Sequence, residues 1–267
     1  MASAALFFSR VSRTFVYLGI GTLRLGPLRD GIRQLWNDFN STPQDAGAGL
    51  SPVEHELFGR WLPDRSRVLV VGSGSGRDLI ALGEQGHRMS GVEPATRALE
   101  LSLGFLRERG LEATVVPGFF EDVDVGGPFD AIIFSYFCYG YIPVSARRVR
   151  VLRKAAGLLA PGGRLLVSYT TMERPHPLLA RVANLSAAVT GSDWRLEPGD
   201  TVSIRFDKPA RPGFFFEHAF TIGEVLDEVA AAGLEIVHHR TASDYPWIVC
   251  VVPDPPGPIT TSSCAGP

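Results

Sequence analysis

The sequence is poor in cysteine, with three thiols in 267 residues: Cys138, Cys250 and Cys264. None stands in a C-x-x-C pair or at zinc-ligand spacing, and one is left over in any single-disulfide scheme. That excludes a disulfide framework and a structural zinc site, and it suits a reducing compartment. Cys138 and Cys250 sit in apolar surroundings and read as packing residues. Excess charge is lacking too: 26 basic residues face 28 acidic ones, for a formal net charge of −2. No global field draws the chain to nucleic acid, and a small molecule is the more natural partner. No uninterrupted apolar run reaches the roughly 20 residues of a membrane-spanning helix. There is no internal repeat, no P-loop and no D/N-P-P-Y motif. The remaining absence is local. Residues 1–29 contain no acid but carry Arg10, Arg13, Arg24 and Arg29. Such a basic, amphipathic segment reads as a helix packed on the domain, as an organelle transit peptide, or as a helix lying on a membrane surface. The cytoplasm is the expected compartment, with organelle targeting by this segment as the alternative.

What is present is an alternation of strand and helix signals. Ser51, Pro52 and Glu54 form a capping box with proline at the first helical position, which predicts a helix ending before Pro63. Arg67 to Val71 is a valine-rich run of the kind buried on both faces of a parallel sheet. A helix follows over Gly76–Gln85, a strand over Met89–Glu93, a helix over Thr96–Arg109, and strands over Ala113–Val116 and Asp130–Ser135. Ser145–Ala160 is helical, with Arg147, Arg150 and Lys154 on a face expected to be solvated. Pro161–Gly163 turns into a strand over Arg164–Tyr169. Regularity lapses between Thr170 and Glu217, a connection too long to lack structure inside a compact domain. It returns with the capping box of Thr221 and Glu224 and two closing strands, Leu234–His238 and Trp247–Val252, joined closely enough to run antiparallel.

The expected fold is therefore α/β: a single doubly wound, mostly parallel seven-stranded sheet with one antiparallel strand and helices on both faces. Residues 1–50 form an N-terminal helical extension. Residues 51–253 form the domain, interrupted at about 172–217 by an inserted lid before the last two strands. Residues 254–267, rich in Pro, Gly, Ser and Thr, form a disordered tail. Ligands of such sheets bind beyond the carboxyl ends of the strands, and the first strand ends at Gly72.

The loop after that strand, "VVGSGSGRDL", needs glycines to turn tightly beneath a ligand, a demand shared by nicotinamide dinucleotides and S-adenosylmethionine. The dinucleotide fingerprint G-x-G-x-x-G would place its third glycine at residue 77, which is arginine. The observed pattern is G-x-G-x-G, at Gly72, Gly74 and Gly76. With Glu93 about 20 residues downstream, "GPFDAIIFSYF", "LLAPGGRLLVSY" and the closing hairpin, the chain from about Ser51 to Val252 resembles the class I S-adenosylmethionine-dependent methyltransferases. The resemblance implies an enzyme that takes S-adenosyl-L-methionine as cofactor, holds its ribose on Glu93 and cradles it on Gly72, Ser73, Gly74 and Gly76. It extends the cofactor site to Asp78, Pro94, Phe120, Glu121 and Ser135. Two positions depart from the family pattern. Val70 stands where an acid commonly helps to hold the methionine end, leaving Asp78 as a replacement or as a plain helix-start carboxylate. Phe119 stands where an acid commonly meets adenine, leaving that task to Glu121 or Asp122, or to Phe120 and backbone groups.

Methyl transfer from a sulfonium requires alignment and exclusion of water more than a fixed set of catalytic side chains. A base matters only for a poorly acidic acceptor. The acceptor side should lie beyond the fourth and fifth strands, drawing on Ser135, Tyr136, Tyr139, Tyr141, Tyr169, Thr170, His176, Glu217 and His218, with Trp36 and Asp38. His218 and Tyr136 are the expected catalytic residues. No metal is expected, since His238 and His239 lack a third ligand. The aromatics suit a flat or apolar small-molecule acceptor. A nicotinamide-dependent oxidoreductase and a non-catalytic cofactor-binding protein are the alternatives.

Overall fold

The computed structural model describes residue 12 and residues 14–38, 42–171, 177–205, 213–241 and 246–254. His176, Cys264 and nearly all of the expected tail lie outside them. Seven strands form one sheet in the order β3-β2-β1-β4-β5-β9-β8. These are β1 (Arg67–Val71), β2 (Arg88–Glu93), β3 (Ala113–Pro117), β4 (Phe129–Phe134), β5 (Leu159–Ser168), β8 (Glu235–Arg240) and β9 (Trp247–Val251). Strands β3, β2, β1, β4 and β5 pair in parallel, and β9 runs antiparallel between β5 and β8. The one antiparallel strand thus lies second from the edge. The strand order reverses between β1 and β4, which opens a crevice at their carboxyl ends.

Alternation along the strands divides the core into two layers. Leu69 and Val71 of β1 face a cluster with Phe134, Val151 and Val225, under α7 (Ser145–Leu158) and α9 (Ile222–Ala231). Val68 and Val70 face Leu57, Phe58 and Leu79, under α4 (Pro52–Trp61), α5 (Arg77–Glu84) and α6 (Thr96–Glu108). Each fully buried aliphatic or aromatic side chain contributes about 1.5–3 kcal/mol by leaving water. The capping boxes expected at Ser51 and Thr221 are both formed, each side chain accepting from the amide three residues on. The Pro161–Gly163 turn is present as a bulge within β5, whose pairing with β4 jumps from Leu159 to Arg164.

The solvated face expected on α7 holds at Arg150, which is exposed, and is corrected at Arg147 and Lys154. Arg147 donates to Glu121 at 2.7 Å, and the Lys154 ammonium donates to the Phe120 carbonyl at 2.6 Å. On the same helix Arg148, only 1% exposed, donates to Glu228 and Glu197, with the Tyr139 hydroxyl also on Glu228.

A third cluster lies outside the sheet and joins two distant parts of the chain. Helical residues 14–20 (α1) and α2 (Leu25–Asp38) pack with α8 (Pro177–Thr190) and with the antiparallel pair β6 (Asp200–Arg205) and β7 (Gly213–His218). Tyr17, Ile20, Leu28 and Ile32 meet Ala183, Trp194, Phe214 and Phe216 there. Two close approaches require glycine. A Cβ on Gly31 would lie 1.9 Å from the Phe214 ring, and one on Gly21 would lie 2.1 Å from the Ala183 carbonyl oxygen. The stretch that looked irregular in sequence is thus a helix and a hairpin, bound to the N-terminal helices. The short α3 (Pro43–Ala46) completes the N-terminal part.

Candidate active site

The glycine loop follows β1 at the centre of the crevice. Gly72 (φ 69°) and Gly74 (φ 53°) are both left-handed, but they differ in what surrounds them. A Cβ on Gly72 would meet the Cys138 sulfur at 2.6 Å, so Gly72 is closed from within. A Cβ on Gly74 would meet nothing within 4 Å. The backbone at Gly74 is bare on its outer side. Its N–H donates to Glu93 Oε2 at 2.8 Å, while Glu93 Oε1 accepts from the Ala95 N–H at 2.8 Å. Glu93 is 5% exposed and its carboxyl is held above the ordinary range by burial. Each carboxylate oxygen carries two lone pairs, so Glu93 retains acceptor capacity after these two bonds. Ser73, beside it, is buried with its hydroxyl unpartnered. A bare, left-handed backbone next to a buried carboxylate and an orphaned hydroxyl fits a nucleoside with ribose hydroxyls to donate.

Arg77 explains itself here. Its guanidinium donates to both oxygens of Glu54, at 2.8 and 2.6 Å, lies 2.5 Å from Asp78 Oδ1 and stacks 4.3 Å over the Tyr136 ring. Burial alone would raise the Glu54 carboxyl, but the hydrogen bonds and charge of Arg77 hold it below its usual range. Asp78 is raised, chiefly by burial, and it accepts from the Ser135 hydroxyl. Where a dinucleotide fold packs a glycine, this chain ties its loop to α4 by a buried ion pair. The capping-box carboxylate of Glu54 serves both α4 and the loop, a coupling across 23 residues for which no local pattern exists. Val70 is wholly buried in the apolar cluster beneath α4, α5 and α6.

Beyond β4 the backbone is left-handed at Tyr136 (φ 47°) and Phe137 (φ 60°), which costs roughly 1–2 kcal/mol per residue. The turn is held by the Phe137 N–H on Ser168 Oγ and the Cys138 N–H on the Ser135 carbonyl. It leaves Tyr136 exposed at 53%, the most open of the expected site residues of this stretch. Tyr139 and Tyr169 are core residues, at 1% and 0%; the Tyr169 hydroxyl meets His239 Nε2 at 2.6 Å. His238 packs on Trp61. Tyr141 is half-buried and touches Trp36 (5.4 Å between centroids) and Phe215 (5.9 Å). Its phenol is pushed up by burial, then by Cys138 and Glu217. Glu217 Oε1 accepts from the Thr170 hydroxyl at 3.0 Å.

Strand parity decides between the neighbours Glu217 and His218. Along β7, Phe214, Phe216 and His218 are buried on the side of the third cluster, whereas Phe215 and Glu217 alternate to the other side, with Tyr141. His218, expected as a base, is 0% exposed and pairs through Nδ1 with Asp200 at 2.7 Å; its Nε2 lies 3.8 Å from Glu224. It braces β6 against β7. Ligand-type atoms of Glu197, Asp200 and His218 lie within 4.8 Å of one another, but Glu197 already accepts from Arg148 and from the Ser145 N–H. Phe120, expected against adenine, is 3% exposed and packs edge-on to Phe134. Glu121 is engaged by Arg29 and Arg147, and Arg29 also stacks 4.1 Å over Phe119. Pro94 is half-buried after Glu93, and Gly76 starts α5. Asp38 is exposed and accepts from Gln34.

Helix α2 carries, beside the expected Trp36, elements missed in sequence. Arg29 reaches the loop after β3, Gly31 rests on β7, Trp36 meets Tyr141, and Asn37 accepts from the Arg97 N–H at the start of α6. It spans the carboxyl ends of the sheet.

Residues 48–239 match the family model described as "Methyltransferase domain". The chain belongs to this methyltransferase family. Among curated relatives of this methyltransferase, a thiopurine S-methyltransferase from Pseudomonas putida is 35% identical over 167 residues, which cover 54% of this chain and 74% of that protein. A ubiquinone biosynthesis O-methyltransferase from Xanthomonas axonopodis pv. citri is 27% identical over 201 residues, 73% and 77% of the two chains. Among solved structures, an amino pentose methyltransferase from Micromonospora echinaspora with S-adenosylmethionine bound is 17% identical, with a TM-score of 0.53 over 80% of this chain and 93% of that one. A glycopeptide N-methyltransferase with S-adenosyl-L-homocysteine has a TM-score of 0.53 over 75% and 89%. At such identity the two structures bear on the fold. The enzyme is an S-adenosylmethionine-dependent methyltransferase.

Proposed function

We propose that this methyltransferase acts on a small, partly apolar molecule held beneath α2, between the aromatic group Trp36–Tyr141–Phe215 and the carboxylate of Glu217. The observation that carries the reading is the bare left-handed backbone at Gly74 beside buried Glu93, facing the end of the sheet where those aromatics gather. When bound, S-adenosylmethionine supplies a methyl group already activated on a sulfonium. Glu93 would accept from the two ribose hydroxyls, and Gly72, Ser73 and Gly74 would line the backbone cradle. Asp78, positioned by Ser135 and Arg77, supplies negative charge at the loop, in keeping with a cationic ligand.

The remaining residues act on the acceptor. Trp36, Tyr141 and Phe215 exclude water and present ring faces to an apolar body. Glu217, oriented by Thr170, anchors a polar hydrogen of the acceptor and can take a proton from it. Tyr136, over Arg77, borders the opening. Residues 1–50 and 172–217 together read as one cap over the domain. The small-molecule substrates in the names of the curated relatives support an acceptor of that size.

Calorimetric titration tests the reading. S-adenosyl-L-homocysteine (for short, the homocysteine) should bind the purified chain, NADPH should not, and Glu93→Ala should weaken its binding by about tenfold or more, the loss of one or two charge-assisted bonds. Binding of NADPH in preference to the homocysteine would overturn it.

A further inference from the structure

Helix α8 is built inside out. It buries its small residues, Ala180, Ala183 and Ala187, against α1 and the cap, and this spacing is what lets Gly21 come down on the Ala183 carbonyl. Leu179 also packs on the third cluster, but the other large apolar residues point the other way. Leu178 is 71% exposed, Leu185 68% and Val189 82%, with half-buried Val182 between them. The four recur at intervals of four, three and four residues, which makes a continuous apolar stripe along one face of the helix. The neighbouring α1 is fastened to α8 by the Ser186 hydroxyl on the Leu18 carbonyl, and it exposes Phe15 at 69%. A bare apolar stripe on two adjacent helices is not a monomer's ordinary scatter of exposed hydrophobics.

Charge identifies what covers it. Neither residues 1–29 nor α8 contains an acid, while in sequence Arg10 and Arg13 precede α1, Arg24 follows it and Arg181 belongs to α8. The nearby Asp193 is committed to the Leu25 N–H at 2.8 Å. An apolar stripe on segments whose own charges are all basic matches the acyl and headgroup layers of an anionic bilayer. No helix among the described residues is long and apolar enough to cross a membrane, so the contact is one of lying on the surface. We infer that the α1–α8 face docks this methyltransferase, through its cap, onto an anionic membrane surface. The inference stands apart from the methyl-transfer reading, since none of its residues lines the crevice.

The test is flotation of the full chain with vesicles of phosphatidylcholine alone and of phosphatidylcholine with about a third phosphatidylserine. Strong binding is expected only to the anionic vesicles, falling as salt shortens the Debye length. Leu185→Ser/Val189→Ser should lower the bound fraction at least about tenfold, because vesicle affinity scales with buried apolar area. Its melting temperature and homocysteine affinity should be unchanged, as these positions are exposed. Phe15→Ser, on the other helix, should reproduce the loss. Absence of binding to anionic vesicles, or equal binding by wild type and both variants, would overturn the inference. So would sedimentation showing a wild-type dimer that the double substitution turns into a monomer, because the face would then be a contact between copies.

Discussion

Replacing Arg77 by methionine is the sharpest test of how the glycine loop is held. The side chain keeps its approximate volume and loses its charge, leaving Glu54, whose side chain is 0% exposed, and Asp78, at 5%, without their cation. Removing one partner of a buried ion pair costs about 3–5 kcal/mol. Asp78 keeps the hydrogen bond donated by the Ser135 hydroxyl, which offsets part of its loss. Glu54 bears most of it, because Arg77 is what holds it ionised in a buried position. For a chain of this length the loss corresponds to a fall of about 6–20 °C in Tm. The sign with pH follows from the two folded-state values. In the wild type the Glu54 carboxyl is lowered from 4.5, so its contribution is present above that value and is lost as the pH falls through the lowered one. In Arg77→Met the buried carboxyl is raised instead, so stability is retained at acid pH and lost as the pH rises. The deficit between the two proteins should therefore widen from acid pH toward neutrality. Arg77→Met/Glu54→Gln should recover to within about 2 kcal/mol of the wild type, since glutamine can still accept from the Ser51 N–H. Thermal and urea unfolding across pH measure all of this. A cost below about 1 kcal/mol for the single variant, or no recovery in the double, would refute a desolvated ion pair as the loop's tether.

Four further outcomes are expected. Homocysteine affinity in the wild type should fall on the acid side, beginning above 4.5, because burial raises Glu93 and its ionised form is the better acceptor; Glu93→Gln should bind about tenfold more weakly with a flat profile, by calorimetry at each pH. Gly74→Ala should lose only about 1–2 kcal/mol of stability, for the left-handed backbone, yet abolish measurable homocysteine binding, whereas Gly72→Ala should lose more stability through its contact with Cys138. His218→Phe should cost about 1–3 kcal/mol by stranding buried Asp200 and leave the pH profile of turnover unchanged; Glu217→Gln should leave Tm and homocysteine affinity in place and lower kcat/KM about tenfold once an acceptor is in hand.

The sheet was legible because its signals are local and mutually consistent. The valines of β1, the boxes at Ser51 and Thr221 and the glycine loop each announce their element within a few residues, and their order then determines the winding. Of the candidate site, what the structure brings together as expected is the glycine loop and the Glu93 carboxylate that accepts from it. Side-chain roles were lost where parity or distance decides. "FFFEH" carries no alternation of polarity, so nothing local reveals which of Glu217 and His218 faces the crevice; β6 and the third cluster determine that. The basic run of α7 looked like a solvated face because the acids that meet it, Glu121, Glu197 and Glu228, come from three other segments. The stripe on α8 was invisible as a surface, since an apolar periodicity in sequence is ordinarily read as a buried face.

The close approaches at Gly21 and Gly31 also bear on how this enzyme can change over generations. The N-terminal helices and the insertion after β5 fit each other where a single methyl group would not pass, so neither is free to vary alone. A recombination that grafts a foreign insertion onto this domain while keeping the native first fifty residues would bring mismatched halves together over the crevice. Changes in the insertion should therefore be inherited together with changes in the N-terminal helices, at two loci separated by the glycine loop and most of the sheet, and a library that diversifies the insertion by itself should be dominated by proteins in which the sheet is sound and that joint is broken.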